Sequence, residues 1–172
     1  MLTVQVETSD GKPLPNVTIV CIDSSTNAIL KGTSIIGGHE RFQTDVQGRF
    51  TFSLQKENLF FMLATDTGFS LAQSRDLKND PIIIMQPWGR IEGMRMNLDQ
   101  PMANQKLWLT FDWLCFNGDI STRDRIGISD EIATDSKGGF VFENVPPTGL
   151  LLSELHSHPK AWNVINEVLP SV

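Results

Sequence analysis

The sequence predicts an all-β protein built as two tandem Greek-key β-sandwiches. Three observations predict it. Apolar and polar residues alternate over short segments with the two-residue period of a pleated strand. Gly, Pro and Asn punctuate those segments every ~8–12 residues. Two motifs also recur in the same order. Pro13-Leu14-Pro15-Asn16-Val17-Thr18-Ile19 returns as Pro101-Met102-Ala103-Asn104-Gln105-Lys106-Leu107, 88 positions on (101 − 13). Thr44-Asp45-Val46-Gln47-Gly48-Arg49-Phe50-Thr51-Phe52 returns as Thr134-Asp135-Ser136-Lys137-Gly138-Gly139-Phe140-Val141-Phe142, 90 positions on (135 − 45). A shared order and offset mark an internal repeat. The expected division is residues 1–87 and 88–172, the two units touching near Gln86-Pro87-Trp88-Gly89.

Each element follows from its own residues. Thr3-Val4-Gln5-Val6 alternates, and Gly11 and Pro13 end it in a turn. Val17 to Ile22 is rich in β-branched residues and apolar on both faces. Arg49 to Leu54 alternates strictly, with Phe50, Phe52 and Leu54 on one face. Leu59 to Ala64 is an apolar run, and Pro81 to Met85 closes the first unit as a short strand. In the second unit Leu107, Leu109, Phe111, Trp113 and Cys115 share one face of a long strand, with Asn117-Gly118-Asp119 as a hairpin tip. Phe140 and Phe142 repeat the Phe50 and Phe52 pattern. No segment holds a 3.6-residue period; Lys160 to Leu169 fits a short helix or a strand.

The repeated polar residues have a mechanical reading. The carboxylates of Asp45 and Asp135 accept backbone N–H groups inside a turn. Gly48 and Gly138 supply a positive φ where the turn ends and the next strand begins. Pro13 and Pro101 preset a turn, and Asn16 and Asn104 tolerate its tight geometry. Calcium binding at Asp45 or Asp135 would need a series of acidic ligands that neither loop carries.

Composition excludes several classes. The chain has 172 residues, 40% hydrophobic and 20% charged, with a net charge of −6. That balance argues against nucleic acid as a partner, since a basic face is required. The densest apolar stretch, Leu107 to Phe116, is broken by Thr110 and Asp112, so direct membrane insertion is not expected. Cys21 and Cys115 lie far apart, outside any metal spacing, and read as buried thiols. The N-terminus shows neither a basic nor an apolar leader region, so no signal peptide is expected within the chain. A free-standing chain and a domain of a longer protein both fit, and the compartment stays open.

Candidate chemistry is thin. His156-Ser157-His158 sets two imidazoles on one face of an extended chain, as a zinc pair would be, with Glu154 in the same parity. The segment also reads as an exposed polar stretch before Pro159, and His39-Glu40 as a lone pair in a Gly-rich loop. No nucleophile elbow, phosphate loop or dinucleotide fingerprint is present. The segments Leu2 to Val6 and Arg90 to Met96 hold no Lys for a Lys–Asn isopeptide bond. The expectation is no catalytic site, no metal and no cofactor. Four tryptophans remain. Trp108 points opposite Leu107 and Leu109, Trp88 sits at the unit junction, Trp113 follows the core parity and Trp162 lies in the tail. An indole can pack in a core, stack on a sugar or anchor a protein contact. Trp88 and Trp108 are therefore the candidate ligand or interface residues.

These motifs resemble the carboxypeptidase regulatory-like domain family. The first unit matches with Asp10-Gly11-Lys12-Pro13-Leu14-Pro15-Asn16, Thr44-Asp45, Gly48, Phe50, Phe52 and Gly68-Phe69. The second matches with Gly89 to Gly93, Pro101, Asn104, Thr134-Asp135, Gly138, Phe140 and Val145-Pro146-Pro147-Thr148-Gly149. It departs at Gln100 and Thr148, in the long interval from Leu107 to Asp135, and after Gly149. The resemblance implies prealbumin-like sandwiches without catalytic residues, accessory to larger secreted or membrane-associated bacterial proteins. Such modules serve as spacers or docking elements on a protein or polysaccharide surface. Similarity of this sandwich to starch-binding folds adds a carbohydrate-binding alternative through exposed tryptophan.

Overall fold

The computed structural model describes residues 1–53, 58–111 and 126–154. Leu54, Trp113, Cys115, Asn117 to Asp119, the histidines at 156 and 158, and Trp162 fall outside this set, as does the 160–169 segment.

Pleat alternation builds the first core. β1 (Leu2–Thr8) turns Val4 and Val6 inward, β6 (Arg49–Phe52) turns in Phe50 and Phe52, and β9 (Ile82–Pro87) turns in Ile83 and Met85. β1 lies between the other two. It runs antiparallel to β6, with Val4 opposite Phe50, and parallel to β9, with Gln5 opposite Ile82. The facing layer holds β5 (Glu40–Gln43), β2 (Thr18–Ile22), β7 (Phe60–Thr65) and β8 (Gly68–Gln73), all antiparallel. β9 belongs to both layers, because Gln86 and Pro87 pair with Phe69 and Gly68 of β8. The seven strands thus form one sheet, β5-β2-β7-β8-β9-β1-β6, folded so that its two ends share a core. Phe52 and Phe61 meet there with ring centroids 4.6 Å apart.

The sequence reading found no helix in this unit, yet α1 (Ser74–Leu77) makes one turn between β8 and β9. Four residues are too few for a helical period to register. Its Leu77 is buried in the first core.

β2 is apolar on both faces because both are covered. Ile19 and Cys21 enter the first core, while Val20 and Ile22 face a second cluster with Phe60 and Met62. A three-stranded layer lies over them: β3 (Ala28–Lys31), β4 (Ser34–Gly37) and β14 (Ile126–Ile128).

Two groupings among the remaining strands match groupings of the first half. β10 (Gly89–Met94) pairs antiparallel with β16 (Gly139–Val145), and β13 (Lys106–Phe111) lies between β15 (Asp130–Ala133) and β17 (Leu150–Glu154). β11 (Met96–Asn97) and β12 (Gln100–Pro101) form a small hairpin. Thr18 opposite Gln43 becomes Lys106 opposite Ala133, offsets of 88 and 90 (106 − 18, 133 − 43). Val4 opposite Phe50 becomes Gly93 opposite Phe140. Leu107, Leu109, Phe142 and Val145 form the buried centre of this half.

Hydrogen bonding does not stop at the 87/88 boundary drawn from the sequence. β14 runs parallel to β3, with Ile126 opposite Ala28 and Ile128 opposite Leu30. Ser129 N–H donates to Leu30 O at 2.9 Å. Burial pushes the Asp130 carboxyl up, partly offset by a hydrogen bond from the Gly32 N–H. Ile126 and Ile128, from the second half, are buried with the outward side chains of β2 and β7. Ile126→Ala is therefore expected to destabilise the chain by about 2–5 kcal/mol. Urea unfolding measures this, and the probe to follow is Trp88, which packs against the same cluster.

Candidate functional site

The repeated motifs fold into two matching clasps. Asp45 Oδ1 accepts the N–H groups of Gln47 at 2.9 Å and Arg49 at 2.8 Å. Asp135 Oδ1 accepts those of Lys137 and Gly139, each at 2.8 Å. Gly48 and Gly138 both have φ +76°. A Cβ there would also collide with backbone, 2.9 Å from Val6 O at Gly48 and 2.6 Å from Arg95 O at Gly138. Close approach as well as φ thus demands glycine.

A threonine locks each turn to the neighbouring loop. Thr44 Oγ1 donates to Leu14 O at 2.7 Å and accepts Val17 N–H at 2.8 Å. Thr134 Oγ1 donates to Met102 O at 2.6 Å and accepts Gln105 N–H at 2.9 Å. Each threonine is only 2% exposed. The loops reach these positions through Asn16 and Asn104, at φ 58° and 56°. Leu14 N–H donates to Val6 O at 2.9 Å and Val6 N–H to Gly48 O at 2.8 Å. In the second copy Met102 N–H donates to Arg95 O at 2.9 Å and Arg95 N–H to Gly138 O at 2.7 Å. Sequence reasoning explained Asp, Gly, Pro and Asn but missed the threonine. Its signal was present: Thr precedes Asp in both copies, and a buried hydroxyl needs both partners.

Chemically, the clasps turn most of their described hydrogen bonds onto backbone. Each Thr hydroxyl both donates and accepts, and one oxygen of each Asp holds two backbone N–H groups. The N–H groups of Gly139 and then Lys137 lower the Asp135 pKa. In neither clasp does the threonine hydroxyl bond a base as a nucleophile would, since its partners are backbone groups. A shallow hollow of about 750 Å³ lies beside the second clasp, lined by Glu92, Ile132, Asp135 and Phe140.

The other candidates lie apart. Trp88 is half-buried; its Nε1–H donates to Thr65 O at 2.8 Å and its ring lies 5.7 Å from that of Phe69. It packs against the cluster shared by the two halves, where Leu150 also sits. Trp108 is half-buried on the β13 face opposite Leu107 and Leu109, between Glu131 and Ser153 on the flanking strands. Among the described residues neither indole is paired with the other or with a clasp, and the sugar-binding alternative gains no support. His39 Nδ1 lies 3.5 Å from Asp23 Oδ2. The Ser25 hydroxyl and N–H lower the Asp23 carboxyl to about 2. Among the described residues no three His, Cys, Asp or Glu side chains are grouped to hold a metal. No helix there is long and apolar enough to cross a membrane.

No family model and no curated protein matches the chain. Two solved structures resemble it. One is a streptococcal ancillary pilin, with a TM-score of 0.45 and 13% identity over 99% of this chain and 60% of that one. The other is the shaft pilin SpaA from Lactobacillus rhamnosus GG, with a TM-score of 0.28 and 10% identity over 94% of this chain and 90% of that one. The chain thus spans 60% of the length of the ancillary pilin.

Two stability outcomes follow from the clasp geometry and a third from the Asp23 turn. Thr44→Val keeps the shape but strands Val17 N–H and Leu14 O, at a cost of about 1–3 kcal/mol in urea unfolding. Gly48→Val is expected to cost at least ~1 kcal/mol, and Gly48→Ala to destabilise as well, since both force positive φ on a side chain. The folded Asp23 pKa, about 2, lies below the unfolded value near 3.8. Its contribution is complete above about pH 4 and is lost as pH falls toward about 2. Asp23→Asn should flatten that part of the acid limb, read as unfolding midpoints across the window.

Proposed function

We propose that the chain is two copies of one prealbumin-like sandwich, residues 1–87 and 88–172, forming a non-catalytic spacer and docking module of a larger surface protein. The observation that carries this reading is the pair of clasps. In both copies the threonine hydroxyl and one carboxylate oxygen are spent on the chain's own backbone, which serves shape rather than chemistry. Trp88 and Trp108 are read as packing and interface residues, and the partner as a protein surface.

The strand order suits a spacer under tension. The chain enters at the start of β1 and leaves the first sandwich at the end of β9, and these strands are parallel neighbours. Pulling on the two ends loads the Gln5–Ile82 to Thr8–Met85 ladder in shear, all its hydrogen bonds at once. β1 and β6 meet differently, with Leu2 opposite Phe52, so pulling there opens an antiparallel ladder one pair at a time. Single-molecule stretching of the full chain tests the reading. Handles at Leu2 and Gln86 should need a clearly higher unfolding force than handles at Leu2 and Ser53. Equal forces, or unfolding below the instrument's detection in the first geometry, would overturn the spacer reading.

A further inference from the structure

The β8–β9 junction is an interrupted ladder. The strands pair at Phe69–Gln86 and Gly68–Pro87 and then part. Between them lies a cleft of about 350 Å³, with Leu71 and Gln73 on one wall and Ile82 and Ile84 on the other. Backbone phase shows what the walls offer. Gln5 N–H donates to Pro81 O at 2.9 Å. Alternate residues of a ladder bond to the same neighbour. Pro81, Ile83 and Met85 therefore direct their backbone groups at β1, and Ile82 and Ile84 direct theirs into the cleft. The Phe69–Gln86 pairing sets the phase of β8 likewise, so Leu71 and Gln73 turn N–H and C=O inward. Among the described residues no strand pairs with either stretch on this side.

The edges at β4, β5 and β6 are guarded with charge, as soluble proteins guard them. Arg41 Nη2 donates to Ile35 O at 3.0 Å and Gly37 O at 3.3 Å, covering the outer carbonyls of β4. β5 carries Glu40 and Arg41, and β6 carries Arg49. β9 from Ile82 to Met85 has no charge, and Ile82 and Ile84 are 41% and 44% exposed. Asp76 and Asp80 also line the cleft, where no Lys or Arg does; Arg75 lies 3.7 Å from Asp76.

We propose that this cleft takes one extended peptide strand from a partner protein, apolar at alternate positions and cationic at the end that meets Asp76 and Asp80. The occupant matched to these walls is a single strand, because both are strand edges with inward backbone groups; a second sheet edge would be blocked by β8. The inserted strand would continue the broken ladder on both sides, with main-chain bonds giving affinity and the carboxylates giving direction. The proposal rests on the docking half of the reading above and names its partner by chemistry.

The probe is a fluorescein-labelled peptide, Arg-Val-Thr-Val-Thr-Val, titrated with the full chain and followed by anisotropy. Saturable binding is expected. Methylating alternate peptide amides should weaken it at least about tenfold, the scale of one or two lost hydrogen bonds. Replacing the peptide Arg by Glu should weaken it, and Asp76→Asn with Asp80→Asn should erase that preference. Ile84→Lys should weaken binding with the far-UV circular dichroism unchanged. The N-methyl peptide leaves the protein untouched, so it decides the matter even if Ile84→Lys fails to fold. No saturation up to about 1 mM, or equal binding of the methylated peptide, overturns the strand cleft. The stretching comparison stands apart: shear resistance without peptide binding sinks the cleft alone, and failure of shear sinks the spacer reading whatever the peptide does.

Discussion

A buried threonine hydroxyl ties together the two places where the chain changes layers. Between β1 and β2 the chain crosses from one layer to the other through the Leu14–Val17 loop. Between β5 and β6 it crosses back through the Asp45–Gly48 turn. Thr44 bonds both sides of the first crossing from the start of the second. With both crossings fixed at one end, the layers cannot slide, and the inward side chains of β1, β6, β2 and β7 keep their register. The residue is only 2% exposed, so water cannot readily substitute for a lost partner. Thr134 does the same for β10, β16, β13 and β15.

The two clasps match more closely than the cores they frame. In the first half Phe50 packs against Phe42, Phe52 and Phe61, with centroids 5.6 to 6.1 Å apart. In the second half Gly93 stands where Val4 stands in the first, and the Phe140 ring occupies the space a side chain would need. Phe140 is half-buried and meets Phe142 at 6.2 Å. Core side chains have drifted in size, while the clasp accepts little change because its bonds go to backbone at fixed distances.

What was legible in the sequence was local. Phe50 and Phe52 alternate within four residues, and Asp45 and Gly48 lie in one turn, so pattern and chemistry sit in the same window. Thr44 was visible as part of the motif, but its role was not, because its partners Leu14 and Val17 are some thirty residues away. Ile126-Gly127-Ile128 carries too little pattern to announce a strand; its meaning comes from Ala28 and Leu30, nearly a hundred residues earlier. Trp88 was placed at the junction by Pro87 and Gly89, yet its bond to Thr65 O depends on how β7 and β8 turn. The β8–β9 cleft had no signal at all, since it arises where β9, legible as Pro81 to Met85, stops pairing with β8, a strand that the sequence reading did not pick out.

The parallel pairing of β14 with β3 has a consequence for synthesis. A chain emerges from the ribosome N-terminus first, at ~5–20 residues per second. Residues 1–87 can close the Phe52–Phe61 core as soon as β9 arrives, but Ala28, Leu30 and Met62 stay partly uncovered until Ile126 and Ile128 have been made. For several seconds the nascent protein therefore carries an apolar face and an open edge at β3, which a chaperone or a neighbouring nascent copy can find first. The time for which that face stays uncovered then scales with the time taken to translate from codon 87 to codon 128.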